Sequence, residues 1–325
     1  MKASAFGYTK ANDLAHALAL LTEHGPTAQV LAGGQSLLPM MNLRLAAPEW
    51  LIDINGLSDL AGISDAGDAI RIGAMTRHRT LQTDPLVAKH VPLLAQAVPY
   101  VAHAAIRNRG TMGGSLALAD PAAEYPAVAL AWGATMVLAS ASGERRVAAK
   151  DFFVDLYQTA RQPHELLVAV EFAKTRPTQR SAFTELAQRH GDYAMAGLAL
   201  TLHVKANIAS EVRVVPLALG SKPELLAPVM ACLEGQALTA ARVQAAQAAI
   251  DEAVEAQGDT HANAATKRHL TRVLLGRALQ QVMETIKPVT YVLEAGEYKD
   301  KLPPLHTVEL RCDMDDRQPY EKMKK

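Results

Sequence analysis

Two short segments, each centred on adjacent glycines flanked by hydroxyl residues, constrain this chain more than any other feature. The first is Leu31-Ala32-Gly33-Gly34-Gln35-Ser36-Leu37-Leu38, which follows an apolar run and precedes a possible helical turn, Leu37 to Leu43. Adjacent glycines let consecutive backbone N–H groups face one concavity, which suits an anion. Ser36 adds a hydroxyl donor, and a helix N-terminus would add its positive dipole, so a diphosphate fits the arrangement. The second segment is Ile106-Arg107-Asn108-Arg109-Gly110-Thr111-Met112-Gly113-Gly114-Ser115, closed by Ala119-Asp120-Pro121. Here Thr111 and Ser115 supply hydroxyls, and Asp120 can accept from sugar-like hydroxyl groups. Either segment alone reads equally well as a tight turn. Their repetition within one chain is harder to explain as two ordinary turns.

Other chemistries are excluded by what is missing. Neither segment has the G-x-G-x-x-G form of a dinucleotide fingerprint, and there is no GKS or GKT phosphate loop. No H-E-x-x-H, no Cys/His cluster at zinc spacing and no G-x-S-x-G elbow occurs. The only cysteines are Cys232 and Cys312, too few for an iron–sulfur cluster or a disulfide framework. Histidines such as His78, His103, His190, His203, His261 and His269 are scattered and read as structural or solvated. Lys plus Arg and Asp plus Glu each total 33, and aromatics are 5%, which argues against a nucleic-acid surface. Met1 to Asn12 lacks the apolar core of a signal peptide, and Ala127 to Ala141 is too short to span a bilayer. A cytoplasmic location is expected.

At 325 residues the chain is long enough for two or three compact units. Phe6 and Tyr8 begin a strand, Ala11 to Glu23 an amphipathic helix ended by His24-Gly25-Pro26, and Ala28 to Ala32 and Leu51 to Ile54 two more strands. Strands are expected at Ile63, Ala69 to Gly73, Glu144 to Val147 and Leu166 to Phe172, with a hairpin at Ser142-Gly143. Helical stretches fall at Thr80 to Val87 and Pro92 to Ala102. Antiparallel strands follow at Phe183 to Leu186, Gly197 to Lys205 and Ile208 to Gly220, then helical runs at Leu238 to Gln257 and Ala264 to Ile286, the last stopped by Pro288. These readings divide the chain into units 1–56, 57–176 and 177–287. The Pro- and charge-rich extension 288–325 keeps enough apolar residues to contact a partner.

The two glycine segments carry a family resemblance. Ala32 to Pro39, followed by Arg44 and Leu51-Ile52-Asp53-Ile54, resembles the first flavin loop of the FAD-binding medium subunits of molybdenum hydroxylases. Ile106 to Ser115 with Ala119-Asp120-Pro121 resembles their second, and Gly73-Ala74-Met75-Thr76 and Glu165-Leu166-Leu167 sit where that family has similar residues. The likeness runs from Met1 to about Ile286. In these motifs the chain is similar to subunits of the carbon monoxide, nicotine and nicotinate dehydrogenase type. Two cysteines in all set the chain apart from the hydroxybenzoyl-CoA-reducing branch, which has a cysteine-rich insertion for a [4Fe–4S] cluster.

The resemblance implies an α+β chain with the vanillyl-alcohol-oxidase-like (PCMH-type) FAD-binding fold: two α+β subdomains clasping the flavin, then a C-terminal α+β domain. It implies FAD contacts from Leu31, Ala32, Gly33, Gly34, Gln35, Ser36 and Leu37 in the first loop. Further contacts are implied from Ala74 and Thr76, and from Ile106, Asn108, Thr111, Gly113, Gly114, Ser115, Ala119 and Asp120. Leu166 completes the set with Tyr193, whose Gly191-Asp192-Tyr193 stretch resembles one lying near the isoalloxazine ring; a tyrosine packed on a sheet is the other reading of that residue. No catalytic residue and no metal ligand is implied in this chain. Such subunits assemble with a small subunit holding two [2Fe–2S] clusters and a large subunit holding molybdopterin, expected here as a dimer of heterotrimers. Electrons pass through FAD to an external acceptor. Two alternatives remain at this level: a stand-alone flavoenzyme of the same fold, and a scaffold without flavin.

Overall fold

Alternation of apolar residues over two faces, and where it fails, explains the architecture. The computed structural model describes residues 2–286, and residues up to Val282 group into one unit. The expected partner-contacting extension 288–325 lies outside the described residues. Near the N-terminus, β1 (Gly7–Lys10), α1 (Leu14–His24), β2 (Ala28–Leu31), α2 (Leu37–Asn42) and β3 (Trp50–Asp53) form a small layer. Its strands lie parallel in the order β1-β3-β2. Asp13 caps α1 by accepting from the His16 N–H, and Gly25 ends it at a positive φ.

A five-stranded antiparallel sheet comes next, in the order β4-β5-β10-β6-β7. Its strands are β4 (Ile63–Asp65), β5 (Ala69–Gly73), β6 (Thr135–Ser140), β7 (Gly143–Ala148) and β10 (Leu166–Ala173). The helices between β5 and β6 are α3 (His78–Thr83), α4 (Pro85–His90), α5 (Pro92–Ala97), α6 (Ala104–Arg107), α7 (Met112–Leu118) and α8 (Glu124–Trp132). Between β7 and β10 lie α9 (Ala149–Phe152) and a small hairpin, β8 (Phe153–Asp155) and β9 (Gln158–Thr159).

Thr80 to Val87, expected as one helix, is two. Pro85 cannot take part in the ladder of the preceding turn, and Asp84 restarts the helix by accepting the Leu86 and Val87 N–H groups at 2.8 and 3.3 Å. The apolar run Ala127 to Ala141 is the end of α8, a turn at Gly133, all of β6 and Ala141, the first of two turn residues before β7. Strand β6 reads as uniformly apolar because both its faces are buried. Met136 and Leu138 join one core while Val137 and Ala139 join another. One core lies against α1 and the first layer; the other lies under α5 and α8 and reaches Phe183 and Val215.

The third sheet is antiparallel, β11 (Gln179–Ala187), β12 (Ala194–Lys205) and β13 (Ile208–Leu217), in chain order. The helices after it are α10 (Ala227–Leu233), α11 (Ala240–Ala248), α12 (Ile250–Ala253) and α13 (Ala264–Ile286). The helical run expected over Leu238 to Gln257 stops early, because the Gln257 N–H turns to the Leu219 carbonyl at 2.8 Å. Beyond it Asp259 accepts from His261 and Ala262 and receives the buried Lys267 ammonium at 2.7 Å.

Candidate functional site

The first glycine segment is the bend between β2 and α2. Asn55 holds its start: the Asn55 amide donates to the Ala32 carbonyl at 2.6 Å and to Asp53 at 2.7 Å. Gly34 takes a left-handed φ of 72°, where a side chain would be strained and would crowd Leu38. Past this bend the Leu38 N–H returns to the Gly34 carbonyl, which starts α2. The backbone N–H groups of Gly33, Gly34, Gln35 and Ser36 donate to no protein group among the described residues. Ser36 leaves its hydroxyl off the helix cap and meets the Tyr193 hydroxyl instead. The bend therefore offers a run of amide donors, the chemistry a diphosphate requires.

The second segment runs from α6 through a turn into α7. Thr111 caps α7, its hydroxyl accepting the Gly114 N–H at 3.1 Å. Three backbone bonds fasten the turn to the stretch after β5: His78 N–H to Gly110, Met112 N–H to Thr76, and Gly113 N–H to Ala74, at 3.1, 2.9 and 2.8 Å. Ala74 and Thr76 are thus buried backing for the loop, and the Thr76 hydroxyl is held by both backbone groups of Gly62. A methyl group on Gly113 would stand 2.4 Å from the Ala74 Cβ, so this glycine permits close packing of helix on strand. Leu166 is likewise buried, in the core beside the first layer, and Ala119 is buried in a left-handed turn that ends α7. Ile106 and Asn108 flank the turn, the former half-buried and the latter exposed.

The loops interlock. A Cβ on Gly33 would lie 2.5 Å from the Arg109 carbonyl oxygen and 2.7 Å from the Gly110 Cα. Gly33 is therefore glycine because another backbone occupies the space, a reason the sequence reading did not anticipate. Arg77 clamps the pair, donating to the Asn55 side chain at 2.9 Å and to the Arg109 carbonyl. His78 sits beneath, with Nδ1 3.1 Å from the Tyr125 hydroxyl. Burial, then Arg107 and Arg77, push its pKa down to about 4, so the ring is neutral.

At the far end of the second segment the chain gathers polar side chains. Asp120 is buried, accepts the Ala122 N–H at 2.9 Å and is hydrogen-bonded by Tyr157. Burial raises its pKa above the usual carboxylate value. Tyr193 is 62% exposed overall, yet its hydroxyl end is enclosed beside Ser36 and its pKa is raised by that burial and by Asp120. Gly191, at a φ of 90°, brings the tyrosine there by passing against the His103 ring. Ser36, Asp120 and Tyr193 thus come from three distant segments to one place. Sequence reasoning missed Tyr157, Arg77 and Asn55. Tyr157 stands at the tip of the β8–β9 hairpin at a φ of 55°, an uncommon conformation for a tyrosine, and no motif marks it.

Among the described residues no cluster of three or more His, Cys, Asp and Glu side chains is placed to hold a metal, and no helix is long and apolar enough to cross a membrane. Interlocked glycine loops between a parallel layer and an antiparallel sheet, with tyrosines at their edge, define an α+β protein built to clasp a phosphate-bearing cofactor.

Residues 4–174 match the family described as the FAD binding domain in molybdopterin dehydrogenase, and residues 181–282 match the CO dehydrogenase flavoprotein C-terminal domain. The chain is 36% identical over 290 residues to the 6-hydroxypseudooxynicotine dehydrogenase complex subunit alpha of Paenarthrobacter nicotinovorans, covering 89% of this chain and 98% of that one. It is 37% identical over 282 residues to the carbon monoxide dehydrogenase medium chain of Hydrogenophaga pseudoflava, covering 84% and 96%. Among solved structures, carbon monoxide dehydrogenase from Hydrogenophaga pseudoflava superposes with a TM-score of 0.85 at 35% identity, over 87% of this chain and 99% of that one. Quinoline 2-oxidoreductase from Pseudomonas putida 86 gives 0.83 at 34% identity, over 88% and 99%. The chain belongs to the FAD-binding flavoprotein family of the molybdopterin dehydrogenases.

Proposed function

We infer that this chain is the FAD-binding, electron-transferring medium subunit of a molybdenum hydroxylase, and that the interlocked loops are its cofactor site. The observation that carries the site assignment is the run of four amide N–H groups, Gly33 to Ser36, that begins where Gly33 is pressed against the second glycine loop. In this reading those amides hold the diphosphate. Gly114 and Ser115 let the ribityl chain and ring lie close to backbone while Gly113 packs against Ala74 behind them, Asp120 accepts from ribityl hydroxyls, and Tyr193 with Tyr157 bounds the ring. FAD supplies the redox chemistry, taking electrons singly and handing them on in pairs. The protein's own residues bind it, orient it and set the polarity around it, and none is required as a nucleophile or metal ligand.

The partners are a small subunit with two [2Fe–2S] clusters and a large subunit with molybdopterin, assembled as a dimer of heterotrimers in the cytoplasm. Electrons from oxidative hydroxylation at molybdenum cross the clusters, reach FAD here and leave to an external acceptor. The deciding experiment is an absorption spectrum and flavin assay of the purified chain, with metal analysis of the complex it co-purifies with. One FAD per chain together with molybdenum and iron supports the reading. A colourless chain that assembles with neither metal overturns it.

A further inference from the structure

Asp120, Glu124 and Glu185 are three carboxyl groups that act on one another and form no ion pair among the described residues. Asp120 is buried and hydrogen-bonded by Tyr157. Glu124 opens α8, is 9% exposed, and its carboxyl accepts from its own backbone N–H. Glu185 enters from β11, opposite Gly197, and its Oε2 is buried with no hydrogen-bond partner among the described residues. Charge couples the three in order: Glu124 feels Asp120, Glu185 feels Glu124, and Tyr193 feels both Asp120 and Glu124. Among the described residues, Tyr125 on α8 feels Glu124 and Tyr157 on the hairpin feels Asp120. Arg107 acts on Tyr125 and His78.

An unpaired buried carboxylate takes up a proton rather than stay ionised. Burial, then repulsion from Asp120, pushes Glu124 up to about 7; burial, then repulsion from Glu124, pushes Glu185 up to about 9. The pair therefore titrates as a unit and holds at least one proton near neutral pH. Packing gives no reason to keep it, since apolar side chains of similar volume would fill the space without the desolvation cost.

The role of the flavin site supplies a reason. Electrons arriving from iron–sulfur clusters bring no protons, whereas reduction of a flavin ring consumes them at its nitrogens. We propose that Glu124 and Glu185 form the proton store of the flavin site. The O–H bond of Glu185 breaks and its electron pair stays on the carboxylate. The proton moves by way of Glu124 towards the Asp120–Tyr193 end and a ring nitrogen of FAD, while the two electrons come from the iron–sulfur partner. Solvent then returns a proton to the pair. This inference rests on the functional reading above.

The test uses the intact flavin-loaded complex, reduced by methyl viologen radical in weak buffer with a pH-indicator dye. Viologen delivers electrons without protons, so flavin bleaching and proton uptake from the bulk are followed separately. In the wild type, bleaching precedes uptake, and its rate falls as pH rises through about 9, where Glu185 loses its proton. In Glu185→Gln, bleaching slows by about a hundredfold, the loss expected on removing a positioned acid. It then coincides with uptake, loses that pH dependence and is restored by added imidazole, and Glu185→Asp keeps the wild-type order of events. Unchanged rate and order in Glu185→Gln and in Glu124→Gln overturn the proposal. Loss of FAD from both amide variants also overturns it, because a group that holds only a proton is replaceable by its amide. A wild-type complex that carries molybdenum and iron but no FAD on this chain defeats the functional reading first, and this proposal with it.

Discussion

Arg77 donates a guanidinium N–H to the side-chain oxygen of Asn55 across 2.9 Å, and through that contact the two glycine loops become one structure. Asn55 already holds the Ala32 carbonyl of the first loop, and a second Arg77 nitrogen holds the Arg109 carbonyl of the other. Replacing Arg77 with Met keeps the aliphatic stem and removes both donors. The expected cost is about 2 kcal/mol of unfolding free energy, typical for lost charge-assisted hydrogen bonds in a half-buried site. FAD should also dissociate faster. Denaturant titration and flavin release check this; unchanged values for both would mean the loops are held together by packing alone.

The adjacent glycines should respond differently to one methyl group. Gly33→Ala places Cβ against the Arg109 carbonyl, where backbone has to move, so FAD retention should be lost. Gly34→Ala meets mainly the movable Leu38 side chain but keeps a left-handed φ, at a cost of roughly 1–2 kcal/mol. That variant should still bind FAD, more weakly. Equal retention by both would show that loop contact does not govern the site.

Tyr193 separates two contributions. Tyr193→Phe removes only the hydroxyl that meets Ser36, while Tyr193→Ala also removes the ring. The Phe variant should keep a near-native flavin spectrum. The Ala variant should shift the spectrum or speed reaction with acceptors while FAD stays bound. A native spectrum and native acceptor kinetics in Tyr193→Ala would return this residue to a role in sheet packing.

Away from the site, Asp259 and Lys267 make a pH-dependent contribution to stability. The Lys267 ammonium, then backbone N–H groups, hold Asp259 down to about 2 from its usual 3.8, against the opposing effect of burial. A depressed carboxylate stabilises the fold above the unfolded value and loses that effect as pH falls through the folded one. The contribution is therefore complete above about pH 4 and fades towards about pH 2. Because Asp259 is 40% exposed, solvent screening limits the pH-linked part to about 1 kcal/mol. Asp259→Asn should cost more near neutrality, roughly 2 kcal/mol, since Lys267 is 4% exposed and among the described residues keeps only the Ala218 carbonyl. Urea titrations of both proteins from neutral to acid pH check it; parallel curves would show the pair to be pH-silent.

Local physics was readable from residues alone. The alternation of Gly197 to Lys205, the glycine and proline stops after α1, and the two hydroxyl-flanked glycine pairs depend on neighbours a few positions away. Where the reading ran through Pro85, or left Ala127 to Ala141 unassigned, the deciding facts were a cap at Asp84 and burial of both faces of β6. The cap was there to be read. The double burial was not, because it depends on which layers end up on either side of the strand. The same division holds at the site. Sequence read the first loop as backbone able to cradle an anion, and its amides are free of protein partners among the described residues, whereas those of the second loop are bonded within the fold. Arg77, Asn55, Tyr157, Glu124 and Glu185 carry no motif. Their roles arise from contacts such as Arg77 with Asn55, 22 positions apart, and Glu185 with Glu124, which only folding brings within range of a hydrogen bond or a charge. Sequence alone determined which backbone is free to bend and donate; tertiary structure decided which side chains lock that backbone and which carboxyls are buried deeply enough to keep their protons.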